Sequence, residues 1–239
     1  MSEPISVHVW SDVACPWCFI GKRRFERAVA GFDGEVAVQY HSFELSPDTP
    51  VDFAGSAADF LAGHKRLPAE QVEQMLAQVT ALAAAEGLRY DYAAVRHTKT
   101  LKAHEVMHLA LERGKQLPMV EALFSAYFEQ GRHVGHVDDL VELATAVGLD
   151  AEETRAALTA GTYADRVAED IDQARRLGIN GVPFYVVDGR YGVSGAQSPE
   201  TFLSVLRKVA DERRTAAQVG DGPSGGIGTH DVAPAGAVR

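Results

Sequence analysis

Two cysteines that stand two residues apart, Cys15 and Cys18, are the side chains of this 239-residue chain best suited to chemistry, and they are its only cysteines. Such a pair can form a disulfide and open it again, which exchanges two electrons with another thiol or disulfide. As a structural cross-link the pair would contribute only about 2 kcal/mol, because the loop that it closes is very short. The spacing therefore indicates a redox-active dithiol.

The residues around the pair predict a strand before it and a helix after it. Apolar and polar residues alternate over 5–10, and helical spacing of apolar residues follows over 16–30. Pro16 suits the first position of this helix, where its missing N–H costs no hydrogen bond. Because the N-terminus of a helix stabilises a thiolate, we predict that Cys15 attacks and that Cys18, one turn further in, resolves the mixed disulfide.

The rest of the chain predicts two short groups of strands separated by helices. A second strand is expected over 36–40, and strands return at 181–187 and 190–193, joined by a two-residue turn at Asp188-Gly189. Helices are expected from about 57, from Pro68 to Gly87, over 98–113, over 118–131, from N-caps at Asp138 and Asp150, over 162–177, and from Pro199. This order predicts an α/β protein: a thioredoxin-like fold with a large all-helical insertion.

The same pattern divides the chain into four segments. Residues 1–50 form the N-terminal βαβ part of the thioredoxin fold, residues 51–177 the helical insertion and residues 178–215 the C-terminal ββα part. Gly, Pro, Ser and Ala dominate residues 216–239 without an apolar period. We expect that segment to be a disordered tail.

Composition limits the partners. The net charge of −10 and the pI of about 5.3 argue against nucleic acid and anionic membranes as partners. The first ten residues lack the basic cluster and the long apolar core of a signal peptide, so we expect a cytoplasmic protein. Its partners are then protein or small-molecule thiols and disulfides.

Five sequence motifs resemble the DsbA-like thioredoxin superfamily. They are SDVACPWCFIGK (11–22), FELSP (43–47), ALFSAYFEQG (122–131), GINGVPF (178–184) and VSGAQ (193–197). Within that superfamily the chain is similar to the FrnE-like group of cytoplasmic dithiol–disulfide isomerases associated with polyketide biosynthesis. The resemblance covers residues 5 to about 210. It differs in one respect, because some members have a second cysteine pair near the C-terminus and this chain has none.

The resemblance implies a protein-disulfide oxidoreductase or isomerase with no bound cofactor other than its redox-active disulfide, and with glutathione as an exchange partner. It also implies that Pro183 follows a cis peptide bond, faces the cysteines and, with Val182, binds the substrate. Cis bonds are nearly confined to prolines. The alternative is an ordinary trans proline at the first residue of a strand.

Other candidate site residues follow from their position beside the cysteines. Pro16 and Trp17 are expected to contact the substrate, as is Phe19, although plain packing residues would have the same sequence pattern. Asp12 and Glu44 flank strand ends that meet at the cysteines, and they are candidates for moving the proton of an attacking thiol. Exposed loop carboxylates without such a role are the alternative.

A second motif competes with the cysteine pair. His104, Glu105 and His108 match the HExxH pattern of zinc proteases on a predicted helix. The histidines also lie on an apolar face typical of helix packing, and the downstream Glu121 and Glu129 belong to no ligand motif. We therefore expect no metal site.

Two alternatives to a disulfide oxidoreductase share the predicted fold. Kappa-type glutathione transferases and hydroxychromene-carboxylate isomerases resemble this layout, but a serine usually stands where Cys15 is. A chaperone-like binding module, in which the helical insertion holds an unfolded client, needs neither cysteine.

Overall fold

The computed structural model describes residues 3–220, and in it helices and strands follow one another as the sequence predicts. The strands are β1 (Ile5–Ser11), β2 (Val36–Ser42), β3 (Phe184–Val187) and β4 (Tyr191–Ser194). The helices are α1 (Pro16–Ala30), α2 (Ala57–Lys65), α3 (Ala69–Ala85), α4 (Leu101–Glu112), α5 (Gln116–Phe128), α6 (Val137–Ala146), α7 (Ala151–Ala160), α8 (Ala164–Arg176) and α9 (Pro199–Gly220).

The four strands form one sheet in the order β2-β1-β3-β4. Strand β1 pairs in parallel with β2 and antiparallel with β3, and β3 pairs antiparallel with β4. Helices α1 and α9 pack together, and α9 also contacts β1. Strand β1 is central and carries the fully buried Val7, because its alternating apolar residues meet the core. The fold is the predicted thioredoxin-like one.

Every regular element between β2 and β3 is helical, which confirms the predicted insertion. Helix α4 packs against α5, α6, α7 and α8. One of the two predicted N-caps is correct: the Asp150 carboxylate accepts a hydrogen bond from the Glu153 amide at 2.8 Å. The other is wrong, since α6 begins one residue before Asp138, with His136 at the N-cap.

The turn and the C-terminal helix differ in length from the prediction. Val187 pairs with Tyr191, which leaves three residues between β3 and β4 instead of two. Helix α9 continues to Gly220, so residues 216–220 of the segment predicted to be disordered are helical. The remainder of that segment, residues 221–239, lies outside the described residues. Within residues 3–220, no helix is long and apolar enough to cross a membrane.

Candidate active site

Both cysteines lie at the start of α1, on the side of the sheet where β1 ends. Cys15 is the N-cap residue with an extended backbone, and Pro16 occupies the first helical position as predicted. The Cys15 amide donates to the Asp12 carbonyl at 3.0 Å, and the Cys18 amide donates to the Cys15 carbonyl at 3.0 Å. The backbone therefore holds the two side chains one helical turn apart.

The two thiols are free and almost equally buried, with exposed fractions of 3% for Cys15 and 2% for Cys18. The Cys15 thiol donates to the Val182 carbonyl at 3.5 Å. Burial raises the pKa of the Cys18 thiol well above its ordinary value, and a hydrogen bond and charge repulsion from Cys15 act in the same direction. A weaker hydrogen bond from Ser11 opposes them. Cys18 is thus kept as a thiol.

The loop before β3 faces the cysteines. The Val182–Pro183 peptide bond is cis. The Pro183 carbonyl accepts the Gly195 amide at 2.8 Å, which ties the loop to the end of β4. The loop also lies close to α1, because a Cβ built on Gly21 would stand 3.1 Å from the Pro183 ring. A side chain at this position would crowd the Pro183 ring, so the glycine allows helix and loop to approach without a shift.

A cavity of about 360 Å³ opens beside Cys15. Cys15 lines it and Cys18 does not, so access, rather than the small difference in burial, separates the two thiols. Of the residues predicted to contact a substrate, Pro16, Trp17 and Val182 line this cavity, whereas Pro183 does not.

The two aromatic residues of the motif have different surroundings. The Trp17 side chain is 40% exposed and lines the cavity. Phe19 is completely buried and stacks on Phe124 of α5, with ring centroids 5.0 Å apart. The prediction that Phe19 contacts substrate is therefore wrong, because its ring packs in the core.

Asp12 is a buried positioning residue. Its carboxylate accepts the Ala14 amide at 3.2 Å and the Leu45 amide at 2.8 Å, which joins the cysteine loop to the segment after β2. Burial opposes ionisation of Asp12, but His104 and these two amides outweigh it and hold its pKa below the ordinary value. A carboxylate so engaged is poorly suited to accept a proton.

Glu44 lies near Asp12 but is only half-buried. Burial raises its pKa, and its Oε1 atom has no hydrogen-bonding partner among residues 3–220. Within that range neither Glu44 nor Asp12 is hydrogen-bonded to a cysteine sulfur. The raised pKa makes Glu44 the better candidate of the two for moving a proton.

The HExxH residues do not converge. His104 Nε2 lies 3.5 Å from the Asp12 carboxylate, whereas His108 Nε2 lies 3.1 Å from that of Asp170 on α8. Glu105 pairs with Lys102 at 2.8 Å. The candidate third ligands are engaged elsewhere: Glu121 pairs with Lys22 and Arg23, and Glu129 accepts hydrogen bonds from Arg89 and Ser125. The motif therefore serves packing between helices and sheet.

One other group of residues brings potential metal ligands together in the described part of the chain: Asp52, His133 and His136. His136 Nε2 lies 2.7 Å from the Asp52 carboxylate. His133 Nδ1 accepts two backbone amides, so its Nε2 carries the proton and donates to a carbonyl 3.1 Å away. That nitrogen has no free lone pair for a metal, and we assign none.

Sequence reasoning missed the loop that follows α3. The Tyr90 hydroxyl donates to the Pro16 carbonyl at 2.7 Å and so contacts the first turn of α1. Tyr92 and His97 of this loop line the cavity, as does Thr49 from the segment between β2 and α2. The aromatic residues of this loop were the one hint in the sequence, since loops often carry binding or catalytic residues. Hydrophobic periodicity does not indicate which residues a loop contacts.

Three comparisons with known proteins agree with this architecture. A family model described as a DSBA-like thioredoxin domain matches residues 6–207. A probable DsbA oxidoreductase from Streptomyces coelicolor is 39% identical, with a TM-score of 0.80 over 98% of this chain and 99% of that one. YwbO from Bacillus subtilis (strain 168), an uncharacterized protein, is 29% identical over 212 residues, which are 88% of this chain and 98% of YwbO.

A more distant structure shares the fold. The cytosolic disulfide reductase DsbM from Pseudomonas aeruginosa with GSH is 18% identical, with a TM-score of 0.61 over 86% of this chain and 99% of that one. The family match extends over most of the chain and includes both cysteines and the loop before β3. The protein therefore belongs to the family of DSBA-like thioredoxin domains.

Proposed function

We propose that this protein is a thiol–disulfide oxidoreductase in which Cys15 attacks a substrate disulfide and Cys18 resolves the product. One observation carries the proposal: two thiols stand one turn apart at a helix N-terminus, and only the first of them borders a cavity. The family match and the similarity to a probable DsbA oxidoreductase support the same reaction class. The narrower FrnE-like grouping stays a prediction.

The reaction has two exchange steps. The Cys15 thiolate attacks one substrate sulfur, a Cys15–substrate disulfide forms, and the other substrate sulfur leaves as a thiolate that takes up a proton. Cys18 then attacks the Cys15 sulfur, the Cys15–substrate bond breaks, and the second substrate sulfur leaves as a thiolate. The enzyme is then oxidised, and the substrate has gained two electrons. Once Cys15 is in a mixed disulfide, its charge no longer raises the pKa of Cys18, which favours ionisation of the resolving thiol when it is needed. We propose Glu44 as the group that accepts the proton of the Cys18 thiol.

The loop at Val182–Pro183 is the proposed substrate-binding backbone. Its support is the 3.5 Å hydrogen bond from the Cys15 thiol to the Val182 carbonyl, since a substrate disulfide attacked by Cys15 would lie beside this loop. We propose glutathione as the thiol that returns the oxidised pair to the dithiol, in the cytoplasm. The structure of the cytosolic reductase DsbM with GSH favours both choices.

The kappa-type transferase alternative is disfavoured by the second cysteine. A serine-type mechanism uses one hydroxyl at the helix start and gives no task to Cys18. Here Cys18 is buried beside Cys15, and a hydrogen bond and charge repulsion from Cys15 contribute to raising the pKa of Cys18. Two thiols in such contact are suited to form a disulfide.

Steady-state exchange tests the proposal. With glutathione as reductant, the parent should reduce insulin disulfides or a small disulfide faster than glutathione alone, and Cys15→Ala should reduce them at the background rate. The double variant Cys15→Ala/Cys18→Ala should also lack activity. Glutathione conjugation by Cys18→Ala at the parent rate would instead support the transferase alternative. Suppression of client aggregation by the double variant, with no exchange by the parent, would support the chaperone-like module.

A further inference from the structure

The cavity beside Cys15 restricts what can reach that sulfur. Cys15 is only 3% exposed, although its neighbour Trp17 is 40% exposed. The cavity volume of about 360 Å³ lies in the range of pockets that bind small molecules, roughly 300–1,000 Å³. A disulfide must enter this space to be attacked, which suits a compact molecule better than a folded polypeptide.

The walls of the cavity are mainly apolar. Helices α2, α3 and α5 of the insertion all contribute residues to its lining. The apolar lining includes Phe60, Leu61, Met75, Leu76, Val79 and Phe128. Flat aromatic rings pack well against such a mixture of aromatic and branched side chains.

Three polar atoms in this lining have no hydrogen-bonding partner among residues 3–220. They are Thr49 Oγ1, the Tyr92 hydroxyl and His97 Nε2. His97 uses its other nitrogen, which lies 2.9 Å from the Tyr127 hydroxyl. A buried polar group without a partner costs about 1–3 kcal/mol, so three of them in one cavity point to a ligand that supplies the missing hydrogen bonds.

The interior of the cavity carries little free charge. Burial lowers the pKa of His97 to about 4, so its imidazole is neutral near pH 7. Asp12 also lines the cavity, but both of its carboxylate oxygens already accept backbone amides. Lys65 and His64 also line the cavity, but both are exposed to solvent. Beside the buried Thr49 and His97, an ionised group would lose its hydration without gaining a partner of opposite charge.

From these observations we propose that the cavity binds a small aromatic disulfide that bears a hydroxyl or carbonyl group and no ionised substituent, and that Cys15 exchanges with it there. The inference rests on the proposed function and names its substrate class. The ring packs against the apolar walls, and its polar group meets Thr49, Tyr92 and His97.

The exchange balances without a metal or a prosthetic group. Cys15 Sγ forms a bond to one sulfur of the aromatic disulfide, the S–S bond of the substrate breaks, and one aromatic thiolate leaves. Attack by Cys18 releases the second aromatic thiolate and leaves a Cys15–Cys18 disulfide. The two protons lost by the cysteines end on the aromatic thiols, and two molecules of glutathione restore the dithiol while they become glutathione disulfide.

Protection of Cys15 by an unreactive ligand tests the binding step. The rate of Cys15 alkylation by iodoacetamide, followed by mass spectrometry of the cysteine peptide from the full chain, should fall at least tenfold in saturating naphthol. Naphthalene sulfonate has the same rings and a negative charge. It should need at least a tenfold higher concentration than naphthol to give the same protection of Cys15.

Variants locate the site. Leu76→Trp fills the cavity and should abolish protection by naphthol, whereas Leu203→Trp, at a half-buried leucine on α9 outside the cavity, should leave protection intact. Tyr92→Phe removes only the unpartnered hydroxyl, so it tests the site even if Leu76→Trp does not fold. It should weaken the apparent affinity for naphthol about fivefold.

Turnover distinguishes this inference from the proposed function. The test substrate is a dihydroxydinaphthyl disulfide, which carries the proposed ring and hydroxyl group. Relative to the uncatalysed reaction with glutathione, it should be reduced with a kcat/KM at least tenfold above that of hydroxyethyl disulfide. Equal acceleration of both, without protection by naphthol, would overturn the cavity assignment and leave the oxidoreductase intact. No acceleration of either disulfide would overturn the proposed function itself.

Discussion

Single side chains decide how the two cysteines divide the reaction. The surroundings of Cys18 favour its neutral thiol, since burial and the adjacent Cys15 sulfur both raise its pKa. Cys15 borders open space and is the thiol that a substrate can reach. Asp12 contributes through geometry, because its carboxylate fixes the turn before Cys15 by accepting the Ala14 amide. The reactivity of the two thiols thus depends on the cysteines themselves, and the position of Cys15 depends on Asp12 of the same short motif.

A second buried carboxylate, Asp170 on α8, joins that helix to β2 and α4. One of its oxygens lies 2.7 Å from His41 Nδ1 on β2, and the other accepts the Ser42 amide at 2.7 Å and lies 3.1 Å from His108 Nε2. His8 extends the group, 2.9 Å from His41. Burial opposes ionisation of Asp170, but these partners outweigh it and hold its pKa well below the ordinary range.

We expect Asp170→Asn to lower the free energy of unfolding by about 2–4 kcal/mol near neutral pH, because His41, His108 and the Ser42 amide lose a charged acceptor. The native pKa of Asp170 lies below the unfolded value of about 3.9, so its ionisation stabilises the fold fully above that pH. The stabilisation is lost as the pH falls through the native pKa. Urea unfolding of parent and variant should therefore converge in acid, and a difference that grows below about pH 4 would contradict this account.

At the scale of elements, helix α1 lies between the sheet and the insertion and must fit both. On the sheet side, a Cβ at Gly21 would stand 2.8 Å from the Tyr185 hydroxyl on β3. On the insertion side, the buried Lys22 pairs with Glu121 of α5 at 2.6 Å. These contacts fix the helix whose first turn carries the cysteines.

Glycine-to-alanine substitutions test the sheet-side contact. Gly21→Ala should lower the free energy of unfolding by about 1–2 kcal/mol, because overpacking exceeds the gain of up to about 1 kcal/mol in helix propensity. Gly63 is the matched control, a helical glycine of α2 with no atom within 4 Å of an added Cβ. Gly63→Ala should stabilise by about 0.5–1 kcal/mol. Equal effects at the two sites, measured by urea unfolding, would exclude close packing at Gly21.

The ion pairs test the insertion-side contact. Glu121→Gln leaves the ammonium of Lys22 buried with Glu26 as its remaining partner. Since the Glu121 side chain is 36% exposed, we expect a loss of about 1–2 kcal/mol rather than the larger loss of a fully buried pair. Glu142→Gln removes a pair with Arg132 in which the glutamate is 74% exposed, and thermal unfolding should show a change below about 0.5 kcal/mol. Equal losses would mean that Lys22 is solvated.

At the scale of the whole molecule, local signals predicted the fold, whereas the cavity needed the tertiary structure. The alternation of apolar and polar residues in β1 and the start of α1 at Pro16 depend on residues close together in the chain, so the sequence pattern predicts them. The cavity combines residues from loops, α2, α3 and α5, and no local pattern brings Thr49 and His97 to one surface. The orientation of α4 was equally hidden, because the two HExxH histidines face separate carboxylates on different elements.

The division of labour between Cys15 and Cys18 is the central claim, and trapping a mixed disulfide tests it most directly. Each single cysteine-to-alanine variant is incubated with hydroxyethyl disulfide, which is small and uncharged, and then analysed by intact-mass spectrometry. Cys18→Ala should carry one stable hydroxyethylthio group per chain, because Cys15 attacks and nothing resolves the product. Cys15→Ala should stay unmodified, because Cys18 is buried and does not border the cavity. Trapping in Cys15→Ala, with none in Cys18→Ala, would contradict the account.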